Sequence, residues 1–464
     1  MDVPLEFIER YRALLGGDLN DFLDCLSVPL RPSLRVNTLK VSEDILLKAL
    51  KEDGISLKPI PWTPSGYFYQ GEGMGNSIWY FLGYVYLQGA CSMIPPLLLD
   101  LKEGDVVLDM AASPGSKTTQ MAGLMGNKGV IVANDVSVRR LRSLRFNLDR
   151  LGVVNTAVSQ MDGRRFGRLA PNFFDKVLLD APCSAEGVTR KDPDLLATWS
   201  IHSIRRLARI QEGLIISAFK SLRPGGILVY STCTLAPEED EGVVDALCRA
   251  YREAEVLGIQ LPCIKVREGI RHWDGRDYKE QVRKCIRIYP HDNDTEGFFV
   301  AKIRKNPDAG GGMPAELRED RAGERWELDR GLARRFGLED LSAVDFTRKG
   351  GKIWAMSRQL SSFDFPHLLT KGLPFARELK TGYKLTTNGI QLFGGLASRN
   401  TVGLSREEVE RYIRGNDVEV DSGRIEGITD GQVIVSWGSF PIGSGLLKGT
   451  RLKNQIPRYR RIVG

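Results

Sequence analysis

Between residues 100 and 305 two patterns of apolar residues alternate along the chain. Short apolar runs such as "DVVLDMA", "GVIVANDV", "FDKVLLDAP" and "GGILVYSTC" are typical of buried strands. The segments between them carry apolar residues every three or four positions, the period of a helix with one buried face. The clearest such helix follows "TWS" and has its apolar residues at Ile201, Ile204, Leu207, Ile210, Leu214, Ala218 and Leu222.

Repeated strand–helix units predict an α/β fold with a Rossmann-like core, a doubly wound and mostly parallel sheet. Late in this region, "KCIRIYP" and "GFFVAKIRK" predict an antiparallel pair at the edge of that sheet. Residues 1–95 mix short helical and β-like segments, as in a small α+β module. Residues 306–325 are rich in Gly, Pro and charge and predict a linker. Residues 326–464 predict a second α+β region.

Composition narrows the class of protein without naming it. The 464 residues are 42% hydrophobic and 27% charged, with 65 basic against 58 acidic residues, which permits an anionic partner. No apolar run reaches the roughly 18–20 residues that span a bilayer, and the N-terminus carries acids, so we expect a cytoplasmic protein with no membrane part. Seven cysteines without a C-x-x-C pair and four scattered histidines argue against a disulfide framework or a metal site.

A loop of small residues between the first strand and its helix predicts a nucleoside site. It lacks both the Walker pattern and G-x-G-x-x-G, so a phosphate cradle is not indicated. Asp135 ends the second strand, where a carboxylate can accept hydrogen bonds from ribose hydroxyls, and Asp162 and Asp180 end the next two. This favours S-adenosylmethionine over a nucleotide, the alternative being an ordinary turn with helix-capping aspartates. The predicted cofactor residues are Ala111, Ala112, Ser113, Pro114, Gly115, Ser116, Lys117, Asp135, Arg140, Asp162 and Asp180.

Two cysteines follow neighbouring predicted strands, Cys183 in "DAPCSAEG" and Cys233 in "YSTCTLAPEEDE". A thiolate that adds to carbon 6 of cytosine makes carbon 5 nucleophilic enough to accept a methyl group, and it can leave again by elimination. An acid must bond or protonate N3 during addition, and Asp180 is placed for that role. The alternative is that each cysteine is a small buried hydrophobe. The acids after Cys233 oppose a lowered thiol pKa if they lie close.

The chain resembles the Nop/Sun family of RNA (cytosine-5)-methyltransferases over about residues 30–305. Five motifs in order carry the resemblance: "DMAASPGSKT", "VANDVS", "DAPCSAEG", "YSTCTLAPEEDE" and "RIYPHDNDTEGFFVAKI". It implies that Cys233 is the nucleophile and that Cys183 assists product release. "RKDPD" and the extended C-terminal part resemble the RsmF-like branch, which implies small-subunit rRNA as substrate and a PUA-like RNA-binding module. Two departures are Ala111 for the usual Cys and Ala185 for the usual Gly.

Basic residues around the catalytic region predict RNA contacts. Lys191 and Arg190 lie just beyond the Cys183 loop and are the predicted substrate contacts. Arginines between 139 and 145 and between 164 and 168, and the basic tail at 458–461, fit either phosphate contacts or solvated surface. We expect a monomer whose target cytosine is unstacked. A DNA methyltransferase using Cys183, a tRNA methyltransferase and a catalytically silent RNA-binding assembly factor remain alternatives.

Overall fold

Helices and strands follow one another closely along the described chain. The structure is a computed structural model that describes residues 3–308 and 324–462, so most of the predicted linker, 306–325, lies outside the described residues. The α-helices are α1 (Leu5–Leu15), α2 (Leu19–Leu26), α3 (Glu43–Glu52), α4 (Ile78–Leu82), α5 (Ile94–Leu97), α6 (Ser116–Leu124), α7 (Val138–Leu151), α8 (Phe166–Leu169), α9 (Ile201–Ser221), α10 (Glu241–Ala250), α11 (Pro290–Asn293), α12 (Arg330–Phe336), α13 (Arg358–Ser362), α14 (Thr387–Phe393) and α15 (Arg406–Ile413). The strands are β1 (Ser33–Val36), β2 (Ser56–Pro59), β3 (Gly66–Gln70), β4 (Val85–Leu87), β5 (Val106–Asp109), β6 (Val130–Asn134), β7 (Thr156–Ser159), β8 (Phe174–Asp180), β9 (Leu222–Thr232), β10 (Ala254–Leu257), β11 (Arg267–Glu268), β12 (His272–Trp273), β13 (Arg276–Asp277), β14 (Ile286–Ile288), β15 (Phe298–Lys305), β16 (Glu324–Arg325), β17 (Asp345–Lys349), β18 (Lys352–Met356), β19 (Leu368–Lys371), β20 (Leu373–Leu379), β21 (Gly382–Leu385), β22 (Thr401–Gly403), β23 (Val418–Glu419), β24 (Gly431–Trp437), β25 (Phe440–Lys448) and β26 (Arg451–Asn454).

A mixed sheet of ten strands forms the centre of the fold. Its order is β11-β14-β15-β9-β8-β5-β6-β7-β19, with β10 paired to β15. The strands β9, β8, β5, β6 and β7 run parallel, which confirms the predicted Rossmann-like core. β14 and β15 pair antiparallel as predicted. The predicted edge position is wrong for β15, which pairs with β14 on one side and with β9 on the other.

Helices cover both faces of this sheet, which is why its strands are continuous apolar runs. On one face Phe166 and Phe219 pack against Leu179 and Leu228. On the other face Met121 and Leu144 belong to the buried cluster under α6 and α7. Within residues 3–308 and 324–462, no helix combines the length and the apolar character that crossing a membrane requires.

The N-terminal residues form a small sheet and a helical pair. The sheet has the order β2-β3-β1-β4. The helices α1 and α2 bury Phe7, Tyr11 and Phe22 in a cluster that also contains Leu196 and Leu235 of the central region. The N-terminal helices are therefore packed onto the loops that follow β8 and β9, an arrangement that matters for the site described below.

The C-terminal region builds two five-stranded sheets and also extends the central one. The orders of the two sheets are β16-β17-β18-β20-β21 and β22-β24-β25-β26-β23. β19 instead pairs antiparallel with β7, with Leu368 opposite Ser159 and Lys371 opposite Ala157. The predicted domain boundaries at 305 and 326 did not include this pairing between the C-terminal region and the central sheet. A four-residue strand of mixed polarity does not indicate in the sequence which distant strand it pairs with.

The basic tail is anchored to the rest of the protein rather than wholly exposed. Arg460 is 5% exposed and donates to the carbonyl of Phe81 at 3.2 Å and to Gln391 Oε1 at 2.6 Å. Burial, and then the nearby charge of Arg150, lower the pKa of Arg460 to about 10. Tyr459 beside it is 65% exposed. The sequence allowed two interpretations of the tail, phosphate contacts or solvated surface. Arg460 fits neither interpretation, because it is buried and hydrogen-bonded.

Candidate active site at the carboxyl edge of the central sheet

The loop between β5 and α6 is held against α7. Gly115 has φ 103°, and a Cβ there would lie 2.9 Å from Leu144 Cδ1, so only glycine suits this close approach. Arg140 donates to the Ser113 carbonyl at 2.6 Å, and Asn147 donates to the Pro114 carbonyl at 3.0 Å. These bonds shape the small-residue loop predicted to bind the cofactor and give Arg140 a part in it.

Asp135 presents a buried carboxylate oxygen that is short of donors. The residue is 2% exposed, and its Oδ1 accepts from the Ser137 amide at 2.8 Å. Its Oδ2 has no hydrogen-bond partner among the described residues, the nearest cation being Arg140 Nη1 at 3.5 Å. Buried acceptors are rarely left unpaired, and a ribose diol supplies donors for such an oxygen. Ser113 Oγ is likewise buried and unpartnered within the described chain, so these residues fit the adenosine part of S-adenosylmethionine.

The neighbours of Asp135 add two residues that the sequence analysis missed. Val136 is 66% exposed and offers apolar surface beside the carboxylate. Asn134 donates to the carbonyls of Met110 and Met161, both at 3.0 Å, and so ties three strand ends together. In the sequence, Asn134 is recognisable only as a polar residue at the end of an apolar run. Its hydrogen bonds to distant backbone carbonyls cannot be predicted from the order of polar and apolar residues.

Asp162 stands apart from the other predicted acids. It caps the short 3-10 helix Gly163–Arg165, and both carboxylate oxygens accept from the Arg164 side chain at 3.0 Å. The hydrogen bond from Arg164 lowers the pKa of Asp162, although burial opposes the shift. Both oxygens of its carboxylate are thus already hydrogen-bonded, unlike Oδ2 of Asp135, and its assignment to the cofactor remains a prediction.

The two thiols meet at the ends of adjacent parallel strands. The register pairs Asp180 with Ser231, so the loops that carry Cys183 and Cys233 leave the sheet side by side. The Sγ atoms of Cys183 and Cys233 lie 3.3 Å apart. The pKa of the Cys183 thiol is raised well above its ordinary value by the hydrogen bond with Cys233, by burial and by neighbouring charge, including that of Glu239. The raised pKa favours the protonated form of the Cys183 thiol.

Asp180 connects the thiol side of the site to the cofactor loop. Its Oδ2 accepts from Lys117 Nζ at 2.6 Å and its Oδ1 accepts from Ser231 Oγ at 2.8 Å. Lys117 is buried and also bonds Ser92 Oγ at 2.9 Å. The Asp180 side chain remains 33% exposed, so a base entering the site can reach its carboxyl group.

Two buried acids lock the thiol loops to each other. Glu186, from the Cys183 loop, accepts from Thr234 Oγ1 at 3.0 Å and from the Leu235 amide at 3.3 Å. Tyr11 OH at 2.8 Å and Trp199 Nε1 at 2.6 Å complete its partners.

Glu239, from the Cys233 loop, makes the reciprocal connection. It accepts from the Ser184 amide at 3.0 Å and from Gln211 Nε2 at 2.7 Å. Burial raises the pKa of Glu239 to about 7, although both bonds oppose the shift. Because each acid holds the opposite loop, the pair sets the separation of the two sulfurs. Sequence reasoning missed Glu186 and treated Glu239 only as a source of charge.

Ala185 takes a backbone conformation that favours glycine, with φ 62°. We predict that Ala185→Gly raises the free energy of unfolding by about 0.5–1 kcal/mol, because relief of the left-handed strain of about 1–2 kcal/mol exceeds the gain in unfolded-state entropy. Urea or thermal unfolding of the full chain measures this. The matched control is Ala181→Gly in the same loop, where φ is not positive and a loss of about 1 kcal/mol is expected. A loss of stability in both variants would contradict the strain at 185.

The predicted RNA contacts at 190 and 191 have different outcomes. Lys191 is exposed, and no described residue bonds its side chain. The RNA contact predicted for Arg190 is contradicted, because its side chain is 1% exposed. Its guanidinium donates to Asp294 Oδ1 at 2.7 Å and to the Val28 carbonyl at 2.9 Å. Arg190 therefore braces the loop after Cys183 against the N-terminal region.

A Rossmann-like sheet with a thiol pair and underbonded polar groups at one edge is the arrangement expected of an S-adenosylmethionine-dependent methyltransferase. The sequence matches the family described as 16S rRNA methyltransferase RsmB/F over residues 96–304. Residues 3–90 match the N-terminal domain of 16S rRNA methyltransferase RsmF, and residues 399–462 match the methyltransferase RsmF PUA domain. The chain belongs to the RsmB/F methyltransferase family.

Individual relatives agree with this assignment. The ribosomal RNA small subunit methyltransferase F of Shewanella piezotolerans is 37% identical over 460 residues, which cover 95% of this chain and 93% of the relative. The tRNA (cytosine(49)-C(5))-methyltransferase of Pyrococcus abyssi is 49% identical over 303 residues, 65% of this chain and 96% of the relative. A crystal structure of NSun6 from Pyrococcus horikoshii with SFG aligns at TM-score 0.58 and 31% identity, covering 65% of this chain and 98% of that one.

Proposed function

We propose that this protein methylates carbon 5 of a cytosine in small-subunit rRNA through a transient bond between Cys233 and the base. One observation carries the proposal: the 3.3 Å approach of Cys183 Sγ and Cys233 Sγ at the same strand ends as the partly exposed Asp180. A single buried cysteine packs as a hydrophobe. Here two thiols are in contact, and Asp180, which bonds Lys117 of the predicted cofactor loop, lies at the same strand ends. This arrangement is typical of a catalytic site rather than of core packing.

Each residue has a role in the proposed reaction. The Cys233 thiolate adds to carbon 6, and Asp180 bonds or protonates N3 so that the developing charge does not remain on the ring. S-adenosylmethionine, when bound, supplies a methyl group activated by its sulfonium. After methylation, a base removes the proton from carbon 5, and the Cys233 thiolate is eliminated from carbon 6 to restore the ring. Cys183 holds a proton next to the Cys233 sulfur, where it stabilises that sulfur as it departs. Glu239 is bonded to the Ser184 amide next to Cys183 and holds that loop in place.

Several finer assignments belong to the same proposal. We assign RNA binding to residues 1–95 and 326–464, catalysis to 96–305 and substrate contact to Lys191. We assign cofactor binding to the same residues that the sequence analysis predicts for it. We further propose a monomer that acts in the cytoplasm. The match of residues 399–462 to a PUA domain supports the RNA-binding role of the C-terminal region.

A tRNA substrate is the second candidate, because the Pyrococcus abyssi relative is 49% identical. The Shewanella relative favours rRNA, since its match extends over 95% of this chain and includes the C-terminal region. A silent assembly factor is disfavoured because the thiols, Asp180 and Asp135 Oδ2, which no described residue hydrogen-bonds, are all in place.

The proposal predicts that purified protein transfers labelled methyl groups from S-adenosylmethionine to small-subunit rRNA or assembled small subunits, giving 5-methylcytosine. Bisulfite mapping of RNA from a deletion strain should show the same site unmodified. Label in tRNA alone would select the second candidate. The absence of methyl transfer to any of these RNAs would overturn the enzymatic proposal.

A further inference from the structure

Four arginines whose side chains form no hydrogen bond or ion pair with a described residue lie along the contact between α8 and α9. They are Arg165, Arg168, Arg206 and Arg209, here called the arginine seam, and all four are exposed. Their cationic neighbours are already neutralised, since Arg164 pairs with Asp162 and Arg205 lies 3.5 Å from Asp274. The seam thus retains its positive charge.

Local packing makes the seam one continuous surface. Arg206, Arg209 and Gly213 occupy positions i, i+3 and i+7 of α9 and so share one face of that helix. A Cβ at Gly213 would lie 3.1 Å from Arg164 Cδ, so the turn before α8 crosses α9 on this face. Ser217 Oγ, one turn further along this face of α9, accepts from the Gly167 amide at 2.9 Å. Gly167 immediately precedes Arg168, so α8 also packs on this face. The arginines of the two elements therefore belong to a single stripe.

The stripe begins at the edge of the sheet that carries the active site. The turn that holds Arg165 follows β7 directly and starts at Asp162. On α9, Gln211 bonds the Pro182 carbonyl at 2.8 Å, immediately before Cys183 in the chain. Arg209 lies two positions before Gln211 and therefore on the opposite, outward face of α9. The seam thus shares this edge of the sheet with the thiol loops but faces away from them.

We propose that the arginine seam binds backbone phosphates of the RNA strand that flanks the target cytosine. Clustered cations without acidic partners are suited to phosphates and carry no sequence preference. Such contacts would hold the strand in register while the target base leaves its stack to reach Cys233. This inference rests on the proposed function, because it requires RNA at the thiol pair.

Two double variants of the full chain test the seam, Arg206→Gln with Arg209→Gln and Arg165→Gln with Arg168→Gln. Each should raise the Kd and KM for rRNA about tenfold and reduce the slope of log Kd against log salt by about 1.4, as expected for two lost contacts to a single strand. The kcat at saturating RNA and the Kd for S-adenosylmethionine should not change.

A charge-matched control lies at the opposite edge of the sheet. Lys102 precedes β5 and Arg252 precedes β10, and both are exposed. Lys102→Gln with Arg252→Gln removes the same charge and should leave the slope and the Kd nearly unchanged. If all three double variants change the Kd and its salt dependence equally, or if none does, the seam does not bind RNA and is an ordinary solvated surface. Weaker binding to assembled subunits alone would assign the seam to a protein contact and overturn it as well.

Failure of the seam and failure of the proposed function give different results. If the wild-type protein forms no 5-methylcytosine, the proposed function fails. If it does, and the seam variants bind and methylate rRNA like wild type, only the seam fails.

Discussion

Replacing Cys233 with serine is expected to lower methyl transfer by at least about 10⁴-fold, because a serine hydroxyl at neutral pH does not supply the nucleophile that carbon 6 requires. The fold should persist, since serine is nearly isosteric and Cys233 is only partly buried. Turnover with labelled S-adenosylmethionine measures the loss, and the thermal midpoint checks the fold. Binding of S-adenosylmethionine should be unchanged, because the adenosine site is built from other loops.

Cys183→Ser is the matched control, since its sulfur lies 3.3 Å from that of Cys233. This variant should still form the bond to RNA but release it slowly, so that a covalent protein–RNA adduct survives denaturing electrophoresis. A Cys233→Ser/Cys183→Ser double variant should form none. If the adduct appears with Cys233→Ser and not with Cys183→Ser, the roles are reversed as in the DNA methyltransferase reading, and the assignment of Cys233 is wrong.

Asp180→Asn is expected to lower kcat by about 10²–10⁴-fold, because an amide can bond N3 but cannot transfer a proton to it. The amide also gives up the ion pair with Lys117, so the Kd for S-adenosylmethionine should be measured alongside kcat by calorimetry. A loss confined to that Kd, with kcat retained at saturating cofactor, would make Asp180 a cofactor residue only.

Asp162→Asn provides the comparison for Asp180. It changes a carboxylate that follows β7, which is separated from β8 by β5 and β6, and Arg164 already bonds both of its oxygens. This variant should leave kcat within about threefold of wild type, since no proton transfer is assigned to Asp162. A kcat loss equal to that of Asp180→Asn would show that charge at the sheet edge, rather than an acid at N3, is what matters.

Much of the site follows from chain order alone. Asp135, Asp180, Cys183 and Cys233 each follow an apolar run, and parallel strands deliver their carboxyl ends to one edge of a sheet. The contact between the two sulfurs needed only the assumption that β8 and β9 are neighbours. Local pattern and fold class therefore sufficed wherever a functional residue sits at a strand end.

The residues that sequence reasoning missed or misassigned act through contacts distant in the chain. Glu186 is bonded by Tyr11, 175 positions away, and by Trp199 and Thr234. Arg190 looks like a free cation beside a catalytic loop, but Asp294 and two distant carbonyl groups from residues 28 and 29 bury it. No periodicity encodes such pairings, because the partner is chosen by how separate modules dock.

The pairing of β19 with β7 bears on how members of this family can be recombined. Without Leu368–Lys371, β7 would present unsatisfied amide and carbonyl groups to other molecules, and such open edges promote aggregation. A chimaera that exchanges the C-terminal third to redirect the choice of RNA would have to carry its own edge-capping segment. Exchanging the C-terminal third would therefore alter the edge of the central sheet together with the region that we propose binds RNA.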